Sequence, residues 1–122
     1  MASVIIAISL SWVASARAIS RSHVSVASGA TLRLNGAAAY TQETIGPLSG
    51  AGTVTNVGAA AVNLVIADAD VSTTFSGTIT DTTNNLNLVK NAGTGTLTLS
   101  GANSYDGVTT IIIGSNDYAG AW

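Results

Sequence analysis

The sequence predicts an all-β fold, a right-handed parallel β-helix of roughly four to five rungs, each about 21 residues long. Three observations carry this. Apolar residues alternate with small polar ones in short runs, glycines punctuate the runs, and the runs recur at a regular interval. The clearest stretch is Gly93 to Gly114, GTGTLTLSGANSYDGVTTIIIG. There Leu97 and Leu99 alternate with Thr96 and Thr98, and glycines stand at 93, 95, 101, 107 and 114. A period of two is what a strand with one buried face produces.

The interval comes from recurring words. TLRLNG from Thr31 to Gly36 resembles TLTLSG from Thr96 to Gly101, and TVTNVG from Thr53 to Gly58 lies between them. A step of about 21 residues places one further member near Thr74-Phe75-Ser76-Gly77. A second series runs through Val24–Val26, Ile45–Leu48, Leu64–Ile66, Leu86–Leu88 and Thr109–Ile113. A strand advances about 3.3 Å per residue, so one such interval, with its turns, closes a lap of a small coil. Stacked laps bury Val, Ile and Leu along the axis and turn Thr and Ser outward. The competing architecture, an antiparallel β-sandwich, explains alternation but not the repeat. Pro47 fits a turn or strand start, and the Ala37–Ala39 and Ala59–Ala61 runs fit tight corners.

Composition narrows the function. Only 8% of the residues are charged and the net charge is −2, whereas an average domain carries about 25% charged residues. The four basic residues, Arg17, Arg21, Arg33 and Lys90, form no run, so no nucleic-acid partner is expected. There is no cysteine, which removes disulfides and thiolate metal sites. A surface with so little charge favours association.

The chain divides into residues 1–20, a solenoid over 21–114, and a tail over 115–122. The first segment reads in two ways. Ile6, Ile8, Leu10 and Trp12 alternate with small residues, as in a strand able to cap the coil or add to a neighbouring subunit. The apolar run Val4 to Val13 followed by Ala14-Ser15-Ala16 is also signal-like, although no basic residue precedes it. At about ten residues this run is short of the roughly 20 that a transmembrane helix needs.

At Phe75–Ile79, then Leu88–Lys90 and Gly93–Gly101, the chain resembles the passenger-associated strand repeat of bacterial autotransporters and related β-helical surface proteins, a similarity that covers about residues 24 to 114. Lys90, Gly93, Gly95, Leu97, Leu99, Ser100, Gly101, Asn103, Tyr105, Gly107, Thr109 and Ile111 match the repeat in order. Leu48–Val54 and Phe75–Gly77 resemble the rungs that precede it. The resemblance implies an extracellular or cell-surface location, a bacterial source and a scaffold role. It departs in two respects. Residues 115–122 are too few to hold the membrane β-barrel with which such passengers end, and this stretch, SNDYAGAW, lacks the apolar residue that opens a next rung. The expectation is a fragment of a longer passenger, or a small protein that uses the rung for assembly.

Chemistry-bearing residues are few. His23 is the sole histidine and lacks the partners that catalysis needs, so a surface or turn role is expected. Asp68 and Asp70 have the i, i+2 spacing of a weak calcium candidate; the plainer reading is a solvated turn. Enzymatic cleavage of a polysaccharide requires Asp68, Asp70 or Asp81 to converge with Lys90 or an arginine. Tyr105 is expected to anchor the Gly101 and Gly107 corners. No catalytic residue, metal or cofactor is assigned. Gly93, Gly95, Leu97, Leu99, Gly101, Asn103, Tyr105 and Gly107 are expected to be structural, and Ile6, Ile8, Leu10 and Trp12 to form an assembly strand. The expected function is a non-enzymatic structural module that stacks end to end with copies of itself into a stalk or filament. The alternatives are an adhesin fragment that binds glycan or a host protein and, third, a polysaccharide-cleaving β-helix.

Overall fold

The computed structural model describes residues 3–6, 23–39, 41–67 and 70–112. The strands, in chain order, are β1 (Ser3–Ile6), β2 (His23–Val26), β3 (Thr31–Leu34), β4 (Gln42–Ile45), β5 (Leu48–Gly50) and β6 (Thr53–Asn56), then β7 (Val62–Ile66), β8 (Thr73–Phe75), β9 (Thr78–Asp81), β10 (Leu86–Lys90), β11 (Leu97–Leu99) and β12 (Thr109–Ile111). No helix occurs among the described residues, and none is therefore long and apolar enough to cross a membrane.

All strand pairs are parallel. They form three sheets, ordered β1-β2-β5-β8-β11, β3-β6-β9 and β4-β7-β10-β12. From β2 to β10 the chain visits the three sheets in rotation, so each of these laps contributes one strand to each; β1 adds a further strand to the first sheet, and β11 and β12 add one each to the first and third. The result is a parallel β-helix of about four turns. We refer to the sheets as the first, second and third in the order just given.

The expected architecture is therefore present, with two differences in detail. Each lap has three faces, where the two interleaved series suggest two. The step between paired residues also varies, from 20 for Ser3↔His23 through 22 for Thr31↔Thr53 to 25 for Thr53↔Thr78. The corners, not the strands, absorb the variation. A strand holds its length because its inward residues must stack on those of the lap below, whereas a corner lengthens into solvent.

Alternation decides which residues enter the core. On β7, Val62, Leu64 and Ile66 are buried while Asn63 and Val65 are half-buried on the outer side. Leu64 is in register with Leu88, and Val62 with Leu86. On the second sheet Leu32, Val54 and Ile79 are stacked in register and fully buried. Phe75 is the largest fully buried side chain and lies in the third full lap. Replacing Phe75 with Ala is expected to destabilise the protein by about 3–5 kcal/mol, the usual cost of emptying a buried aromatic site. A fall in the urea midpoint with an unchanged m-value would measure it.

Corners are built from small residues. Ala37–Ala39 lies between β3 and β4, and Ala59–Ala61 between β6 and β7. Pro47 separates β4 from β5, and its carbonyl accepts the Val24 N–H at 2.9 Å. Gly50 closes β5 with φ 108°, a region that suits glycine, and its α-carbon is pressed against the Val26 backbone.

Candidate functional site

Polar side chains in this coil are arranged in rows that run from lap to lap. On the outer side of the third sheet, Asn87 Nδ2 donates to Asn63 Oδ1 at 2.8 Å, and Asn87 Oδ1 accepts the Val108 N–H at 2.9 Å. On the second sheet, Ser104 Oγ and Thr80 Oγ1 lie 3.0 Å apart. On the first, His23 Nε2 lies 3.0 Å from Ser49 Oγ. These bonds link successive laps and supplement the backbone ladder. The Asn63–Asn87 bond follows from register, since paired side chains in parallel strands stand within reach of one another.

The most elaborate polar group is inside the corner between the second and third sheets. Asn56, at the end of β6, is fully buried. Its Oδ1 accepts the Gly36 N–H at 3.1 Å and the Gly58 N–H at 3.0 Å. Its Nδ2 donates to the carbonyls of Ala60 at 2.9 Å, Asn84 at 3.0 Å and Asn85 at 3.3 Å. One amide thus joins backbone from three laps. One lap on, Asp81 stands in register with Asn56 and repeats the device: its Oδ2 accepts the N–H groups of Leu86 and Asp106, both at 2.9 Å. Asn103 makes a separate link between laps, its Oδ1 accepting the Ile79 N–H at 2.8 Å.

The residues singled out by sequence are distributed along this framework. Asp70 follows β7 in an exposed turn, and its Oδ1 accepts the Thr94 N–H at 2.9 Å and the Thr94 hydroxyl at 3.3 Å. Asp68 lies outside the described residues, as do Arg17, Arg21, Ile8, Leu10 and Trp12. Ile6 ends β1, which pairs with β2 and places Ile6 beside Val26. Asp81 ends a strand of the second sheet, whereas Lys90 ends a strand of the third, so the length of β10 separates Lys90 from the corner that Asp81 holds. Among the described residues no group of three or more His, Asp or Glu side chains could hold a metal ion.

The last lap has the composition of a scaffold. Leu97 and Leu99 on β11 pack partly buried against the core, and so does Tyr105, whose hydroxyl lies 2.7 Å from Thr109 Oγ1. Gly95 is buried and Gly93 exposed. Gly101 is pressed against the Gly77 carbonyl, and Gly107 against the carbonyl of Leu86.

Two residues with structural weight are not among those the sequence singles out. Asn56 is one. Glu43 is the other: it is fully buried on β4, in the inward row of Leu64 and Leu88. Its phase is legible, since it alternates with Ile45.

Chemically, the described carboxylates Asp70 and Asp81 accept backbone N–H groups and shape corners. That is the work of a cap, in which a short polar side chain satisfies amides the ladder leaves over. No family model, curated protein or solved structure matches the chain.

Proposed function

We propose that the chain is a non-enzymatic structural module of an extracellular or cell-surface protein, and that it associates end to end with copies of itself into a stalk or filament. The observation that carries this reading is the last described lap of the coil, whose strands have a strand neighbour on one side only among the described residues. β11 and β12 are the outermost strands of the first and third sheets. Leu97 and Leu99 are only partly covered there, and Val108, Ile111 and Ile112 are exposed at 67%, 46% and 44%. A strand edge with free N–H and C=O groups accepts another parallel strand. Contacts between unlike ends do not close, so they propagate as filaments. The low charge of the chain opposes this little. The surface location rests on the resemblance to autotransporter passengers, and the lack of activity on the capping roles of Asp70 and Asp81.

Sedimentation velocity over a range of protein concentrations, followed by negative-stain electron microscopy, tests the reading. The expected result is a weight-average mass that rises with concentration and fibres at the highest concentration. Ile111→Lys, a charge placed on an exposed edge residue, is expected to shift the distribution toward monomer. A wild-type protein that stays monomeric throughout and forms no fibres would overturn the proposal.

A further inference from the structure

Two residue pairs in the described chain have the covalent form that spontaneous succinimide chemistry requires, a side-chain carbonyl followed by glycine: Asn35-Gly36 and Asp106-Gly107. The fold treats them oppositely. We propose that Asp106-Gly107 is a site of spontaneous isomerisation to isoaspartate in the folded protein, and that Asn35-Gly36 is locked against the corresponding reaction.

The reaction begins when the Gly107 main-chain nitrogen attacks Asp106 Cγ. The nitrogen loses its proton, a five-membered succinimide forms, and the side-chain hydroxyl leaves as water. Water then adds to one of the two ring carbonyls. Opening at one restores the aspartate; opening at the other moves the main chain through the β-carboxyl. The net change is an isomerisation with one water lost and one regained. At Asn35 the leaving group is ammonia, and the product is a mixture of aspartate and isoaspartate.

Three conditions favour the reaction: an accessible side chain, an attacking nitrogen not held in a hydrogen bond, and backbone outside a ladder. Asn35 is exposed, but Gly36 is buried and its N–H donates to Asn56 Oδ1 at 3.1 Å. That amide is the attacking atom, and it is aimed at Asn56. At the second site Asp106 is exposed and lies in the strandless run between β11 and β12. The neighbouring amides are held, Asp106 N–H by Asp81 Oδ2 and Val108 N–H by Asn87 Oδ1, both at 2.9 Å. Among the described residues no hydrogen bond takes the Gly107 N–H.

The product would change the terminal lap. Isoaspartate adds a methylene to the main chain at 106. Directly downstream, the Val108 carbonyl accepts the Leu88 N–H at 3.0 Å and β12 pairs with β10. A longer main chain displaces that register, so ageing would loosen the outermost strand of the third sheet.

The experiment incubates the intact chain at neutral pH and moderate temperature, folded and in parallel in concentrated urea. Peptides are then mapped by fragmentation that distinguishes isoaspartate from aspartate. In the folded protein, progressive loss of the aspartyl form at 106 is expected with residue 35 unchanged in mass. In urea, both sites are expected to react. Asp106→Glu, which keeps the carboxylate and the backbone N–H but forms the cyclic imide far less readily, should abolish the change at 106. Asp106→Asn should accelerate it and release ammonia. Gly107→Ala is avoided, because an added Cβ would strike the Leu86 carbonyl. Deamidation at Asn35 in the folded chain at its urea rate, or a folded chain whose aspartate at 106 persists while that in urea converts, would overturn the proposal.

Discussion

Gly77→Ala is expected to remove about 4 kcal/mol or more of stability, in the exceptional tail of single-substitution effects. Gly77 is buried at the corner between β8 and β9, and a Cβ there would fall inside contact range of the Gly52 carbonyl oxygen. Gly101 stands in the same relation to the Gly77 carbonyl, so glycine recurs at this corner in three successive laps. The obstacle is backbone, which cannot swing aside as a side chain does. Relief requires the laps to part, and that breaks the bond from Thr78 N–H to the Gly52 carbonyl at 3.0 Å. Gly29→Ala provides the contrast. Gly29 has φ 84° but open space around its α-carbon, so only backbone strain opposes the methyl group, a cost of about 1–2 kcal/mol. Urea denaturation of both variants should show a small midpoint shift for Gly29→Ala and a large shift, or no cooperative transition, for Gly77→Ala. Equal effects would mean that close approach does not govern this corner.

The coil was legible because alternation and recurrence are local properties. Val62 to Ile66 alternates in sequence and in the structure, and its stacking on Leu86 and Leu88 follows once laps are assumed. The assignment of strands to faces was not legible. Thr31-Leu32 and Thr53-Val54 sit in register on the second sheet, yet the similar words at Thr74-Phe75 and Thr98-Leu99 pair with each other on the first. Alternation states that one side of a strand points inward; it does not state which of three sheets the strand joins. That depends on corner lengths, and these vary because nothing inside the coil constrains them. The capping residues were harder still. Asp81 reads as a candidate catalytic acid in a one-dimensional sequence, while its hydrogen bonds to Leu86 and Asp106 span one corner and one whole lap.

Asn56 is the extreme case, and its replacement is the second large effect expected. Its hydrogen-bond partners come from residues 36, 58, 60, 84 and 85, which only the closed coil brings together. Two N–H donors face one end of its amide and three carbonyls face the other, so a single orientation of the amide satisfies them, with the Asn85 carbonyl as the longest contact at 3.3 Å. Asn56→Ala leaves the buried Gly36 and Gly58 N–H groups without their acceptor and the part-buried Ala60 and Asn84 carbonyls without this donor, while the Asn85 carbonyl keeps the Val62 N–H at 3.0 Å; each buried group left unpaired costs about 1–3 kcal/mol. A total loss of roughly 4 kcal/mol is expected, within the range of broken buried networks. Asn56→Asp keeps the shape and both acceptor contacts to Gly36 and Gly58, but it turns a negative oxygen toward the three carbonyls. It is therefore expected to be less stable than Asn56→Ala at neutral pH, because an uncompensated buried charge is worse than an empty site. Hydrogen exchange separates this loss from a general weakening. The Gly36 and Gly58 amides should lose protection in Asn56→Ala and retain it in Phe75→Ala relative to their own global stabilities. If both variants exposed these amides equally, Asn56 would be an ordinary core residue and not the clasp of three laps.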